Sequence, residues 1–246
     1  ENRFLENEIL NIYKASKSRY GAPKIYEKLK ANGVFISLKR TQRLMNKLGI
    51  KSIVCKKFRP HSSKNKVESR ENIINRDFST NGVNQKWVTD ITYIHTIKDG
   101  WCYLASVMDL NSRKIVGYSM SKNIDTTLAI KALDNAYKLQ KPAEGLIIHS
   151  DLGSQYTSYE FEKYVKEHKL IHSFSGKGNP YDNACIESFH SVLKKEEVNL
   201  VKYFDFDIAR LAIFEYIESW YNRERIHSSL GYITPQEWED KSKRVA

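Results

Sequence analysis

The chain has 246 residues, 41% of them hydrophobic and 28% charged, enough for one full core and a smaller second domain. No apolar run approaches the roughly 20 residues of a membrane span. The three cysteines are an odd number, widely separated and without a CxxC pair, which argues against a disulfide framework and a structural zinc site. We therefore expect a cytoplasmic protein that works in a reducing compartment.

The net charge of +11 is concentrated at the start of the chain. Residues 1–70 contain 18 Lys and Arg against 5 Asp and Glu, whereas the remaining residues contain 22 against 24. This clustering is typical of a module that binds a polyanion. Nucleic acid is the leading candidate, and an acidic membrane is a distant second because no basic amphipathic anchor with large apolar residues is present.

Two short helices are predicted within this basic region. The first has Pro23 in its first turn and stops at Asn32 and Gly33, and the second covers residues 38–48 after the N-cap Ser37. Two helices joined by a glycine-containing turn predict a helix-turn-helix.

The second of these helices has an apolar face and an opposite cationic face. The cationic face consists of Lys39, Arg40, Arg43 and Lys47. A recognition helix in a DNA major groove has this pattern, and an ordinary amphipathic helix with a solvated basic face is the alternative. The basic stretch that follows, residues 56–80, is predicted to be a linker laid along phosphates.

From residue 86 the pattern changes to strands and helices. The predicted order is strands at 86–94, 100–110 and 114–120, a helix at 125–140, a strand at 146–150, a helix near 158–169, a strand at 171–175, and helices at 184–198 and roughly 206–221. This order predicts an α/β fold in which helices flank a mixed sheet, preceded by the small all-α helix-turn-helix domain.

Three acidic residues are placed to meet in that fold. Asp90 lies in the first strand and Asp151 follows the fourth, so neighbouring strands would bring them together. Glu187 shares a helix face with Lys194, about 10 Å further along by helical rise. That distance is too long for a local ion pair, so we expect Lys194 to contact a phosphate.

Converging carboxylates repel one another, and a divalent cation removes the repulsion. Mg²⁺ prefers oxygen ligands and usually combines a few carboxylates with phosphate oxygens and water. Two such ions, about 4 Å apart, can activate an attacking hydroxyl and stabilise a leaving oxygen. The pattern therefore predicts a Mg²⁺ site at Asp90, Asp151 and Glu187 for phosphodiester chemistry.

The three acids also form a recognisable family signature. Asp90, Asp151 and Glu187, with 35 residues between the last two and a Lys seven after the Glu, resemble the DDE motif of retroviral integrases and related transposases. Four flanking blocks resemble the OrfB-type transposases of bacterial insertion sequences: "WVTDITYI", "HSDLGSQYTS", "GNPYDNACIESFHSVLKKE" and "YNRERIHSSLGYITPQEWE".

The resemblance implies an RNase H-like core with two Mg²⁺ ions, for which Mn²⁺ substitutes, held by the three carboxylates. In such enzymes water or a 3′-hydroxyl attacks a phosphodiester in line, at the terminal inverted repeats of the element and then in target DNA, without a covalent protein–DNA intermediate. It also implies Lys194 as a DNA contact and a homo-oligomer, at least a dimer, on paired DNA ends. A companion first-frame (OrfA-type) protein and a location at the nucleoid follow from the same resemblance.

These predictions divide the chain into a helix-turn-helix domain (residues 1–55), a linker (56–80), a catalytic core (81–200) and a C-terminal helix and tail (201–246). One alternative is a DNA-binding regulator or inactive transposase remnant that uses only the basic front end. Another is a nuclease or junction resolvase on the same kind of core, which would hydrolyse DNA without joining strands.

Several flanking residues keep two interpretations. His149 and His190 could orient a carboxylate or a phosphate, or could serve the core alone. Arg225 and His227 could contact DNA or could lock the C-terminal tail through hydrogen bonds. The loop 176–183 could close on DNA and bring Glu187 into place, or be a plain surface loop.

Overall fold

The computed structural model describes residues 2–54, 71–75, 77–176 and 183–245. The chain divides into two compact units, residues 1–58 and 59–246. Much of the predicted linker and most of the loop 176–183 lie outside the described residues, so the interpretations of both stay predictions. No helix in the described ranges combines the length and apolar character that crossing a bilayer requires.

The described part of the first unit, residues 2–54, contains three helices: α1 (Asn2–Ala15), α2 (Ala22–Ala31) and α3 (Leu38–Lys47). Their shared core is built from Leu5, Ile9, Ile25, Leu29, Leu44 and Met45. The predicted helix pair is confirmed, and the Ser37 side chain accepts a hydrogen bond from the Arg40 N–H at 3.2 Å as an N-cap. The helix α1 adds to the predicted pair.

The second unit contains five strands and five α-helices among its described residues. The strands are β1 (Lys86–Thr96), β2 (Gly100–Asp109), β3 (Ile115–Ser121), β4 (Ile147–Ser150) and β5 (Ile171–Phe174). The helices are α4 (Thr126–Gln140), α5 (Tyr159–Glu167), α6 (Ala184–Glu196), α7 (Phe206–Glu215) and α8 (Pro235–Val245).

The strands form one mixed sheet in the order β3-β2-β1-β4-β5. The pairs β1–β2 and β2–β3 are antiparallel, whereas β1–β4 and β4–β5 are parallel. Consecutive hairpins give the antiparallel half, and crossovers through α4 and α5 give the parallel half. The predicted α/β class, a mixed sheet flanked by helices behind a small helical region, is confirmed.

One face of the sheet is covered by α4 and α5 through a large apolar core. Its centre includes Trp87, Val107, Val116, Leu133, Ile148 and Phe161, all buried. Helix α4 approaches β3 closely at Gly117, where a Cβ atom would lie only 2.5 Å from the Ala132 carbonyl oxygen. This backbone contact requires glycine because any side chain there would push the helix off the sheet.

The C-terminal segment folds back onto the edge strand β3. The predicted helix at 206–221 is α7 followed by a π-helical segment over Tyr216–Tyr221, and the predicted tail contains α8. The Asn222 side chain accepts from the Ile115 N–H and donates to the Ile115 carbonyl, both at 3.0 Å. It thus imitates a neighbouring strand and covers an edge that would otherwise expose unpaired backbone groups.

Candidate active site

Asp90 and Asp151 are brought side by side by the pairing of two parallel strands. The register pairs Val88 with His149, and continuing it by two residues places Asp90 opposite Asp151. Asp90 lies within β1, and its side chain is 23% exposed. Asp151 directly follows β4 and is exposed. The expected neighbourhood of the two strands is therefore present in the fold.

The loop after Asp151 is shaped around its carboxylate. The Gly153 N–H donates a hydrogen bond to Asp151 Oδ1 at 2.9 Å, and a Cβ at this glycine would lie 2.9 Å from the same oxygen. Tyr156 anchors the loop, since its buried hydroxyl lies 3.2 Å from the Thr89 hydroxyl. The glycine in "HSDLGSQYTS" is thus explained by its close approach to the acid two residues earlier.

Glu187 is carried by the first turn of α6. This helix packs through a stripe of buried apolar side chains, Ile186, Phe189 and Leu193. Asn183, just before the helix, is buried and donates to the Thr89 carbonyl at 3.4 Å. The start of α6 is therefore tied to β1 one residue before Asp90, and Glu187 itself remains exposed.

The three carboxylates influence one another electrostatically. Partial burial and the charge of Asp90 raise the pKa of Asp151, and the hydrogen bond from Gly153 opposes the increase. Partial burial and the charge of Asp90 likewise raise the pKa of Glu187. Both side chains remain exposed, so water screens these effects. The site nevertheless concentrates negative charge that a cation would compensate.

The described side chains do not form a closed metal cage. Across residues 2–54, 71–75, 77–176 and 183–245, no three His, Cys, Asp or Glu side chains have the spacing of a metal site. The pairing of β1 with β4 brings the strand segments of Asp90 and Asp151 together. Glu187 lies on α6, where the charges of Asp90 and Asp151 contribute to its raised pKa.

His190 is a partner of Asp90. It lies on α6 one turn after Glu187, and its Nδ1 is 3.3 Å from Asp90 Oδ2. Its Nε2 is 3.4 Å from the Ser106 hydroxyl, on the strand residue that pairs with Asp90. Of the two interpretations of His190, orientation of a carboxylate fits these contacts. The feature of the sequence that points to this role is the position of His190 three residues after Glu187, which puts both on one side of the helix.

Lys194 lies on the same helix, close to the acidic residues. Burial lowers the pKa of its ammonium group, and the charge of Asp90 only partly opposes this decrease. Its Nζ is 3.8 Å from the centre of the Tyr93 ring, on β1. The cation is therefore held beside the strand that carries Asp90.

His149 serves the sheet core. It is fully buried between two serine hydroxyls, with Nδ1 2.9 Å from Ser173 and Nε2 3.1 Å from Ser175. These contacts join β4 to the strand and loop of β5. They support the core interpretation of this residue.

Arg225 and His227 lock the C-terminal segment onto the end of α6. Arg225 Nε lies 3.1 Å from both carboxylate oxygens of Glu196, and both side chains are buried. Tyr216 and Trp220 each donate to the same carboxylate at 3.0 Å. Arg225 Nη1 also lies 3.2 Å from His227 Nε2. The tail-locking interpretation therefore fits better than a direct DNA contact.

In the first unit, the basic face of α3 is divided in two. Arg40 donates to the Asn2 side chain at 2.8 Å, and Lys47 pairs with Glu6 at 2.7 Å, so both interact with α1. Lys39 and Arg43 are exposed. These two side chains are the ones most available for a DNA backbone or base.

The buried pair predicts a stability effect. Arg225→Met should leave Glu196 buried without its cation and lower the free energy of unfolding by about 3–5 kcal/mol. Arg210→Met is the matched control because Arg210 forms an exposed pair with Asp207, and the loss there should stay below about 1 kcal/mol. Urea unfolding measures both variants, and similar losses in the two would refute a structural role for the buried pair.

Comparisons with known proteins agree with this architecture. Residues 1–58 match the family model of an HTH-like domain, and residues 80–180 and 168–235 match two models of an integrase core domain. A simian T-cell lymphotropic virus intasome in complex with the PP2A regulatory subunit B56 gamma has a similar fold. The TM-score is 0.54 at 16% identity, covering 94% of this chain and 74% of that one.

Two curated relatives are much closer in sequence. The transposase InsF for insertion sequence IS3A of Escherichia coli strain K12 is 39% identical over 96% of this chain and 82% of its own length. The transposase for insertion sequence element IS904 of Lactococcus lactis subsp. lactis strain IL1403 is 38% identical over 97% of this chain and 94% of its own length. With the helix-turn-helix-like unit and the integrase core, these matches establish that the chain belongs to the IS3 family of insertion-sequence transposases.

Proposed function

We propose that Asp90, Asp151 and Glu187 are the catalytic carboxylates with which this transposase cuts DNA at the ends of its insertion sequence and joins them to target DNA. The observation that supports the proposal is the parallel pairing of β1 with β4, whose register, continued two residues beyond Val88 and His149, would set Asp90 opposite Asp151. Glu187 is included as the third acid because it lies one turn before His190 on α6, and His190 Nδ1 is 3.3 Å from Asp90 Oδ2.

The same residues are proposed to hold divalent metal ions. All three offer carboxylate oxygens, and their mutual repulsion favours a small hard cation, which fits Mg²⁺ with Mn²⁺ as a substitute. Two bound ions would supply positive charge for the attacking hydroxyl and the leaving oxygen of a phosphodiester.

The chain's other groups have supporting roles in this proposal. His190 fixes the orientation of the Asp90 carboxylate, and the Gly153 N–H fixes Asp151 Oδ1. Lys194 binds a DNA phosphate near the reacting one, since its ammonium is held beside β1. These residues position groups before the reaction, so little reorganisation is needed when the strand is attacked.

Recognition of DNA is proposed to use the first unit. Lys39 and Arg43 would contact the DNA directly, while Arg40 and Lys47 would add positive charge from their places beside α1. The proposed domains are residues 1–55 for end recognition, 56–80 as linker, 81–200 for catalysis and 201–246 to brace the core.

The assembly is proposed to be a homo-oligomer on paired DNA ends. Joining both ends of one element to a target requires two active sites to be held together. The similarity of the fold to an intasome component supports this arrangement. A companion first-frame protein and a location at the nucleoid complete the proposal.

The catalytic role is tested with labelled DNA carrying the ends of the element and Mg²⁺ or Mn²⁺. Wild type should produce nicked ends and strand-joined products, and Asp151→Asn should produce neither. Asp207→Asn is the control because this exposed acid lies on α7 and pairs with Arg210, and its products should match wild type. Equal products from Asp151→Asn and wild type would contradict the proposal. DNA binding without cleavage in any of the three would favour a regulator or remnant.

The role of Lys194 is tested against its neighbour on the same helix. Lys194→Ala should weaken binding of element-end DNA and lower the salt-dependence slope of log K by about one, as expected for one lost phosphate contact. Lys195→Ala removes the same charge one residue further on and should change the slope less. Fluorescence anisotropy across a salt series measures both, and equal slopes for the two variants would argue against a specific contact at Lys194.

A further inference from the structure

An exposed cluster of rings lies on the β1–β2 hairpin, beside the candidate active site. It consists of Tyr93, His95 and Trp101, here called the aromatic platform. The strand register pairs His95 with Trp101, and the ring centres of Trp101 lie 5.1 Å from Tyr93 and 4.9 Å from His95, both edge to face. Trp101 is 53% exposed and Tyr93 45% exposed. The platform therefore presents a large apolar, π-rich surface to solvent.

Lys194 connects the platform with the proposed catalytic residues. Tyr93 follows Asp90 by three residues on β1, about 10 Å along the strand, and because side chains alternate between the faces of a strand the two point to opposite faces of the sheet. The Lys194 ammonium on α6 nevertheless lies 3.8 Å from the centre of the Tyr93 ring. Because the charge of Asp90 also acts on Lys194, one cation lies between the acids and the rings.

Stability of the hairpin alone is a weak explanation for this surface. Cross-strand aromatic pairs do stabilise a hairpin, but buried or β-branched pairs achieve the same without exposing rings to solvent. Exposed apolar surface near a reactive centre more often marks a binding site. Rings beside a cation suit a ligand with a flat π system and a phosphate, which is a nucleotide.

The duplex state of DNA restricts which nucleotide can bind there. Within a double helix the faces of each base are covered by its neighbours, so a protein ring can stack only on a base that has left the helix or lies in a single strand. We propose that the aromatic platform stacks an unpaired nucleobase next to the cleaved position, with Lys194 bound to a phosphate of the same strand. This inference rests on the proposed function, because it assigns the platform to the DNA that the three carboxylates process.

The test uses the full chain carrying Asp151→Asn, without divalent metal, so that binding is measured in the absence of cleavage. The probes are a blunt duplex of the element end and the same duplex with a short single-stranded extension containing 2-aminopurine. The parent should bind the extended probe more tightly and quench its fluorescence. Trp101→Leu keeps apolar volume but removes the ring, and should weaken binding of the extended probe at least about fivefold while leaving blunt-duplex affinity unchanged.

Two controls make the result specific. Trp101→Phe keeps a ring and should retain most of the preference for the extended probe. Phe214→Leu removes an equally exposed ring from α7 and should behave like the parent. Thermal melting checks that each variant is folded. If Trp101→Leu does not fold, the proposal is tested by the 2-aminopurine fluorescence of the parent alone. Absence of quenching in the parent then overturns the proposal.

The proposal is also overturned if Trp101→Leu binds the extended probe as tightly as its parent, or loses affinity for both probes equally. Failure of the proposed function is a separate outcome. If the proposed function is wrong, DNA cleavage and joining in the metal-containing assay will not depend on Asp151. The 2-aminopurine assay contains no metal and involves no reaction, so its outcome is independent of that result.

Discussion

The parallel pairing of β1 with β4 is the constraint on which the site depends. Its register, continued two residues beyond Val88 and His149, would set Asp90 opposite Asp151, an acid more than fifty residues later in the sequence. Burial raises the pKa of Asp151 and the charge of Asp90 adds to the increase, so bringing the two acids together is electrostatically unfavourable. The fold tolerates it because the surrounding core, from Trp87 to Ile148, fixes the register independently of the acids.

Helix α6 is the second element of the site, and it is held at three positions. Asn183 ties its start to β1, His190 meets Asp90 at its middle, and the buried Glu196–Arg225 pair holds its end. Through that pair the C-terminal segment contributes to the placement of Glu187. Within the "YNRERIH" block, Asn222 and Arg225 are explained by bracing of the core, because both side chains form hydrogen bonds within the protein.

Sequence reasoning recovered what local rules determine. The strands, the helices and the N-cap Ser37 depend on near neighbours in the chain, and all are present. Apart from the neighbourhood of β1 and β4, contacts between distant segments were not predicted. The pairing of His190 with Asp90 depends on packing that one sequence does not reveal. The split of the basic face on α3 depends on α1, whose contacts with Arg40 and Lys47 come from about forty residues away.

The central claim, that these acids form one cation site, is tested most directly by calorimetric titration of Mn²⁺ into the full chain. Wild type should give a binding signal that is lost in both Asp90→Asn and Asp151→Asn, because each removes a charged oxygen ligand. Asp207→Asn, an exposed acid of α7, should retain it. An unchanged signal in Asp90→Asn and Asp151→Asn would show that the metal binds elsewhere and would contradict the account.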